Sequence, residues 1–289
     1  MASPFTAIVL THNEARNIGA CLASLAGLPQ AVFVVDSGSA DDTVAIARAA
    51  GAVVVSHPFE GHARQWNWAL ETLPIVTDWV LCLDADHRVT PELADELTRL
   101  FDGGPDGPVL SGVDGWYINR RQIFRGHWIR HGGYYPKHLL KLVRRGRAWS
   151  DERERLDFRL YVKGATATLR HDIVEDNRNE ASLAFWFAKH VRFARLQADE
   201  EIARRRDGFG YAIAPSPFGT ADQRVLWRKQ IWHRLPLFVR PGLYFSYRYV
   251  WQRGFLDGEE GFLFHCFQAF WYRLLVDVLI AEQRLVSRS

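Results

Sequence analysis

Four short apolar runs, Phe5 to Leu10, Ala31 to Val35, Ala52 to Val55 and Trp79 to Leu83, alternate with segments whose apolar residues return at helical spacing. Glu14 to Leu25, Asp41 to Ala50 and His62 to Leu73 are the intervening helices. This β-α-β-α-β-α-β rhythm leaves few architectures open: a parallel sheet with helices on its faces and right-handed crossovers. Ligands of such a sheet gather at the carboxyl ends of its strands. There the fourth run ends in Asp84-Ala85-Asp86. Side chains at i and i+2 of an extended backbone point the same way, so both carboxylates can converge on one hard cation, which prefers oxygen ligands.

Thr90-Pro91-Glu92 then starts another helix with an N-cap followed by proline. Beyond a Gly- and Pro-rich loop at 103–107, Gly115 to Asn119, Leu139 to Arg144 and Arg159 to Val162 read as strands, with Arg125 to Pro136 a long loop. Leu183 to Arg206 is helical, and Gly208 to Thr220 is the best linker. Residues 1–207 therefore read as an α/β domain and 221–289 as a helical region broken at Pro236, Pro241, Gly254 and Gly258.

From Arg224 to Arg273 stand fifteen aromatic residues and eight Arg or Lys against three acids. Bulky apolar groups interleaved with Arg, Tyr and Trp suit a membrane interface, where Arg reaches up to phosphate. A packed subdomain or a dimer interface in a homo-oligomer would use the same composition. Phe262 to Ile280 carries His265, Gln268, Arg273 and Asp277, which argues against a transmembrane helix. A net charge of +3 gives no ground for nucleic acid as a partner. Cys21, Cys82 and Cys266 sit far apart in apolar contexts, so reduced core thiols and a cytoplasmic location are expected. No signal peptide is expected before Phe5, because that apolar run is short and enters a polar turn.

Thr11-His12-Asn13-Glu14 after the first strand, Asp36-Ser37-Gly38-Ser39-Ala40-Asp41-Asp42-Thr43 after the second, and Asp84-Ala85-Asp86 resemble, in this order and spacing, the family 2 inverting glycosyltransferases of GT-A fold. Trp128 to Pro136 and Leu139 to Gly146 resemble the subgroup acting on lipopolysaccharide core and lipid-linked envelope polysaccharide precursors. The resemblance implies an α/β, Rossmann-like, mostly parallel sheet followed by an aromatic-rich helical region.

It also implies roles. Thr11, Asn13 and Glu14 would border the nucleotide, and Asp36 and Ser37 would meet the base or ribose. An acceptor carboxylate suits a uracil N–H or ribose hydroxyls, although Asp, Ser and Gly are equally what an Asx turn with a helix cap needs. Arg64 and Gln65 lie on the segment that closes over the nucleotide, and Arg64 near a helix start could meet a phosphate or belong to a solvated face. Asp86 would hold Mg2+ or Mn2+, and Asp84 would lean toward the ribose or metal-bound water. Ser37 and His87 depart from the residues most relatives carry, Asp and Glu. Arg125, Arg130 and His131 would face the acceptor, guanidinium forks suiting phosphate oxygens.

An inverting transfer needs one carboxylate base within reach of the acceptor hydroxyl. Asp157, just before a strand, is favoured; Glu154 and Glu152 are alternatives, and Glu175-Asp176 could also serve. The expectation is a metal-dependent transfer from a nucleotide-diphosphate sugar, a UDP-sugar, to a glycolipid or lipid-linked oligosaccharide, by a peripheral protein at the inner face of the cytoplasmic membrane. A catalytically inactive scaffold on the same fold is one rival. A sugar-phosphate nucleotidyltransferase is the other, but it calls for a Gly-rich basic loop after the first strand, which Thr11-His12-Asn13-Glu14 is not.

Overall fold

A computed structural model describes residues 5–103, 107, 109–156, 158–208 and 210–286. The apolar runs become β1 (Phe5–Thr11), β2 (Val32–Asp36), β3 (Val53–Ser56) and β4 (Trp79–Asp84). Between them lie α1 (Ile18–Ser24), α2 (Thr43–Ala49) and α3 (His62–Thr72). The first helix starts later than its periodicity suggests, because Asn17 and Ile18 N–H both close a turn onto the Glu14 carbonyl. After β5 (His87–Val89), Thr90 caps α4 (Pro91–Leu100) by accepting from Leu93 N–H.

The chain continues through β6 (Val113–Phe124), β7 (His127–Ile129), β8 (His138–Arg144), β9 (Ala148–Ser150), β10 (Leu160–Val162) and β11 (Ala165–Glu175). The main sheet runs in the order β3-β2-β1-β4-β8-β6-β11-β5. Its first four strands are parallel, β8 is antiparallel to β4 and β6, and β11 returns parallel to β6. Strand β11 escapes a reading by periodicity because Ala165-Thr166-Ala167-Thr168 is weakly apolar and much of the strand is only partly buried. The sheet is covered on both faces: Ala7, Val9, Leu81 and Leu83 pack with α1 and α4, while the alternate residues Ile8, Val80 and Cys82 are equally buried.

The described residues fall into two compact units, one formed by those within 5–123, 136–152 and 158–179 and another by those within 124–135, 153–156 and 180–286. The division does not fall at 208–220, for α5 (Leu183–Asp207) packs with the tail helices. In this second unit α6 (Ala221–Arg234) begins with a capping box between Thr220 and Gln223. The chain breaks at Pro236, then α7 (Arg240–Ser246), with Pro241 in its first turn, runs on as wider turns through Tyr247–Trp251. Gly258 does not break the chain: α8 (Gly258–His265), the wide turns Cys266–Trp271 and α9 (Tyr272–Val286) are continuous. Gly254–Leu285 thus forms one helical stretch of 32 residues, long and apolar enough to cross a membrane by length and composition, a point that a search for an unbroken apolar run passes over.

That stretch is also a packing element. Ala194 and Ala198 of α5 meet Tyr272, Val276 and Ile280 of α9. Small side chains on one helix against bulky ones on the other let the axes approach closely. Arg240 is fully buried between Glu201 of α5 and Asp277 of α9, with a bidentate pair to Glu201 at 2.8 and 3.0 Å and its Nε donating to Asp277 Oδ1 at 2.7 Å.

Candidate active site

The sheet register aligns three of the residues singled out in the sequence. Thr11 lies opposite Asp36, and Leu10, one position earlier, lies opposite Asp84. With β1 between them, β2 and β4 bring the backbones of Asp36 and Asp84 to about 10 Å of each other at the carboxyl ends of the strands, on successive pleat positions whose side chains start toward opposite faces. The chain leaves β1 for β2 on one side and reaches β4 on the other, so this edge is the topological switch point where a crevice opens.

The loop after β1 is locked to the loop after β2. Asn13 takes a left-handed backbone (φ 55°), its N–H donates to Ser39 Oγ, and its Oδ1 accepts from Ala40 N–H at 2.8 Å. Glu14 N–H donates to Thr43 Oγ1 at 2.8 Å. The Glu14 carboxylate accepts from Asn17 Nδ2 at 2.5 Å and Asn179 Nδ2 at 3.2 Å. The Thr11 hydroxyl is buried with no hydrogen-bond partner among the described residues.

Asp36 is buried and organises its own turn. Its Oδ2 accepts from Gly38 and Ser39 N–H at 3.0 Å each, and its Oδ1 from Ser39 Oγ at 2.5 Å. The Asx turn is therefore real, and it uses three of roughly four lone-pair positions of a carboxylate. Ser37 Oγ accepts from Gln65 Nε2 at 3.1 Å, and Gln65 Oε1 meets His57 Nδ1 at 2.8 Å. Gln65 is thus a buried brace under the second loop. Arg64 is exposed and bracketed by Glu60 and Glu152, both at 3.1 Å, so its charge is already spent on the surface.

Asp84 sits in a chain of alternating charges. Lys141 Nζ lies 3.0 Å from Asp84 Oδ2, and Asp84 N–H donates to His87 Nδ1 at 3.1 Å. The other ring nitrogen, Nε2, faces Glu175 Oε2 at 3.1 Å, and Arg120 Nη1 closes the row on the same oxygen at 2.5 Å. Burial pushes the Asp84 carboxyl up, but Lys141 and then His87 outweigh it and hold the group down at about 2. Burial is likewise overcome at Glu175, by Arg120 and His87, which hold it well below the usual carboxylate range. Burial first, and then Asp86 and Asp84, push the Cys21 thiol far up.

Two residues that meet the aspartates, Lys141 and Asn177, are not among the site residues singled out in the sequence. Lys141 was legible as a lone lysine inside Leu139-Leu140-Lys141-Leu142-Val143, since a lysine is almost never buried unless paired. Asn177 carried no such signal. It arrives from the end of β11, donating to Asp86 Oδ2 at 3.1 Å, while Asp176 N–H donates to the Asp86 carbonyl. Asn17, Asp86, Arg88, Asp176 and Arg178 line one shallow depression, and Arg88 pairs with Asp176 at 2.5 Å.

The donor set suits a hard divalent cation. Asp86 is a partly exposed carboxylate, and the neighbouring Asp84 is held ionised by Lys141. Both carboxylates are engaged, Asp84 by Lys141 and Asp86 by Asn177, and no cluster of three or more metal-ligating side chains forms among the described residues.

The remaining predicted residues are spread apart. Of the base candidates, Asp157 lies outside the described residues; Glu152 pairs with Arg64 in the first unit, and Glu154 is buried in the second. Glu175 and Asp176 are the carboxylates that β11 delivers beside Asp84 and Asp86. In the second unit, Arg125 (φ 51°) pairs with Glu260 at 3.0 Å, and the Arg130 guanidinium stacks over Trp128 at 4.2 Å. His131 is clamped by buried Asp257, which accepts from its backbone N–H at 2.8 Å and meets Nδ1 at 2.7 Å.

The sequence profile of glycosyl transferase family 2 matches residues 6–162, more than half of the chain. The chain belongs to glycosyl transferase family 2. Over 247 residues it is 26% identical to the lipopolysaccharide core biosynthesis glycosyltransferase LpsC of Rhizobium meliloti, covering 79% of this chain and 83% of that one. It is 41% identical over 101 residues to an uncharacterized glycosyltransferase of Rickettsia conorii, where the match covers 35% of this chain and spans about a third (35%) of the length of that relative. Among solved structures it is similar to the mannosyltransferase PcManGT of Pyrobaculum calidifontis in complex with GDP-Man and Mn2+, with 17% identity, a TM-score of 0.51, and coverage of 100% of this chain and 89% of that chain. At that identity the likeness concerns the fold, which is GT-A-like.

Proposed function

We propose that this family 2 member transfers a sugar, with inversion, from a nucleoside-diphosphate sugar of the UDP type to a glycolipid or lipid-linked oligosaccharide acceptor. The setting is envelope polysaccharide or lipopolysaccharide assembly at the inner face of the cytoplasmic membrane. The observation that carries this reading is the register that sets Asp36 opposite Thr11 and Asp84 opposite Leu10 at adjacent strand ends, with Asp86 two residues beyond. Similarity to LpsC supports the acceptor class, and PcManGT, which shares the fold and holds GDP-Man and Mn2+, is in keeping with a nucleoside-diphosphate sugar and a divalent metal without bearing on the nucleobase.

Each residue then has a task. The last acceptor position on Asp36 takes a ribose hydroxyl or base N–H, and the Asn13 and Gln65 braces hold its loop still. Asp86, with Asp84 beside it, holds Mg2+ or Mn2+. When bound, the cation neutralises the negative charge that grows on the departing diphosphate. Lys141 keeps Asp84 anionic and fixed. Asp157 is the assigned base, with Glu154 the second candidate; Asp176 is the described carboxylate beside Asp86, although Arg88 pairs with it.

The test is hydrolysis of UDP-sugars with and without Mn2+, comparing the native chain with Asp86→Ala. A loss of about two orders of magnitude in kcat is expected when one transition-state electrostatic partner is removed. Turnover independent of metal and unchanged in Asp86→Ala would refute the reading. Tighter inhibition by GDP than by UDP would overturn the donor assignment alone. Comparing Asp157→Asn with Asp176→Asn then assigns the base.

A further inference from the structure

Between Gln223 and Leu256 the chain has no acidic residue, while seven Arg or Lys and nine aromatic residues stand there. Its tertiary arrangement sorts these by face. Val239, Leu243, Tyr247, Val250 and Trp251 recur at i, i+4, i+8, i+11 and i+12, which is one face of the helix that α7 begins. All five are exposed, Trp251 to 81%, and Phe255 and Leu256 continue the exposed apolar surface just beyond. The opposite face is packed: Tyr244 hydrogen-bonds Arg248 at 2.6 Å, and Arg248 Nη1 donates to the Gly132 carbonyl at 2.5 Å.

The charges are unbalanced as well. Arg248 and Arg273 both lie over the Tyr244 ring, at 4.9 and 5.6 Å, and among the described residues neither is in an ion pair. Arg240 is the contrast, with two buried carboxylates of its own. Exposed Arg253 stands between Trp251 and Phe255. The Arg248 and Arg273 guanidiniums lie on the packed side with Tyr244, so the positive charge that the exposed face itself carries is that of Arg253, which draws an anion. An apolar stripe of this length is also more than scattered surface residues require.

We propose that this face, Val239 to Trp251 with Phe255 and Leu256, docks the second unit on the surface of an anionic phospholipid bilayer. The apolar side chains enter the headgroup and acyl boundary, and Arg253 meets lipid phosphates. A second copy of the chain is the competing occupant, and sedimentation velocity, below, separates it from the bilayer. The proposal builds on the reading of a lipid-linked acceptor, but docking is measured without any sugar transfer, so the two stand or fall separately.

The test is co-sedimentation of the full chain with vesicles of phosphatidylcholine alone and with about 30% phosphatidylglycerol. Binding at least about tenfold tighter to the anionic vesicles, reversed by salt of about 0.5 M and by alkaline carbonate, is expected of an interfacial anchor. Val250→Ser with Trp251→Ser should weaken it about tenfold or more, Arg253→Glu should reduce the anionic preference, and Val76→Ser, an exposed site in the first unit, should change nothing. Both altered surfaces are exposed, and circular dichroism checks that the fold is kept. Equal binding to neutral vesicles, no binding, or retention after carbonate would overturn the proposal. So would a dimer in sedimentation velocity that Trp251→Ser abolishes while vesicle binding is unaffected.

Discussion

Replacing Arg240 by methionine tests the packing of the helical unit. Arg240, Glu201 and Asp277 are all at most 2% exposed, and the guanidinium joins α5 to α9 from the start of α7. Removing it leaves Glu201 with Arg205 at 2.6 Å, but leaves Asp277 with the Phe238 N–H at 2.8 Å as its remaining hydrogen bond among the described residues. The cost therefore concentrates on one stranded buried carboxylate, for which about 3 to 5 kcal/mol is expected. With a urea slope of about 2 to 3 kcal/mol per molar, the midpoint of the transition reporting on the helices falls by about 1 to 2 M in far-UV circular dichroism. The paired change Arg240→Met with Asp277→Leu removes the stranded charge and should recover most of the loss, a non-additivity expected of direct partners. Burial works to raise the Glu201 carboxyl, but the hydrogen bonds from Arg240 hold it below its ordinary value. Its contribution is thus fully present above the ordinary carboxylate range, lost as pH falls through the lowered folded value, and smaller in the variant. A loss under about 1 kcal/mol for the single change, or a double variant no better than the single, would refute the reasoning.

Two further outcomes follow from the first unit. Lys141→Met removes the charge that holds Asp84 at about 2, and because the Asp84 side chain is still 30% exposed, about 1 to 2 kcal/mol is expected at pH 7. The folded value is depressed, so this stabilisation is present above the unfolded carboxyl range and fades as pH falls toward 2; an equal urea-midpoint loss at pH 7 and pH 3 would argue against it. Burial pushes the Cys21 thiol far up and the Cys82 thiol to about 12, whereas Cys266 is only partly buried. Alkylation at pH 8 should therefore label Cys266 alone in the folded chain and all three in urea, and early labelling of Cys82 in peptide mass analysis would contradict the burial.

Much of the catalytic fold was legible because its signals are local. Strands β1 to β4 are apolar runs bounded by polar turns, and the Thr90 cap with Pro91 needs no distant partner. The end-of-strand carboxylates Asp36 and Asp84 could be found for the same reason, since the place where a buried strand stops is written in its own residues. Strand β11 was not, because a strand that exposes much of its length lacks a clean alternation and is set by pairing with β6.

The sequence by itself therefore determined the β-α alternation, the parallel edge and the identity of the two aspartates at and just beyond the end of β4, all through contacts a few residues long. Tertiary structure decided what those aspartates face. Lys141 is 57 residues from Asp84, and Asn177 is 91 from Asp86. It also assigned α5 to the tail and chose which aromatic residues of 223–256 are packed and which are left at the surface. Such pairings depend on strand register and helix packing, and no local propensity specifies them.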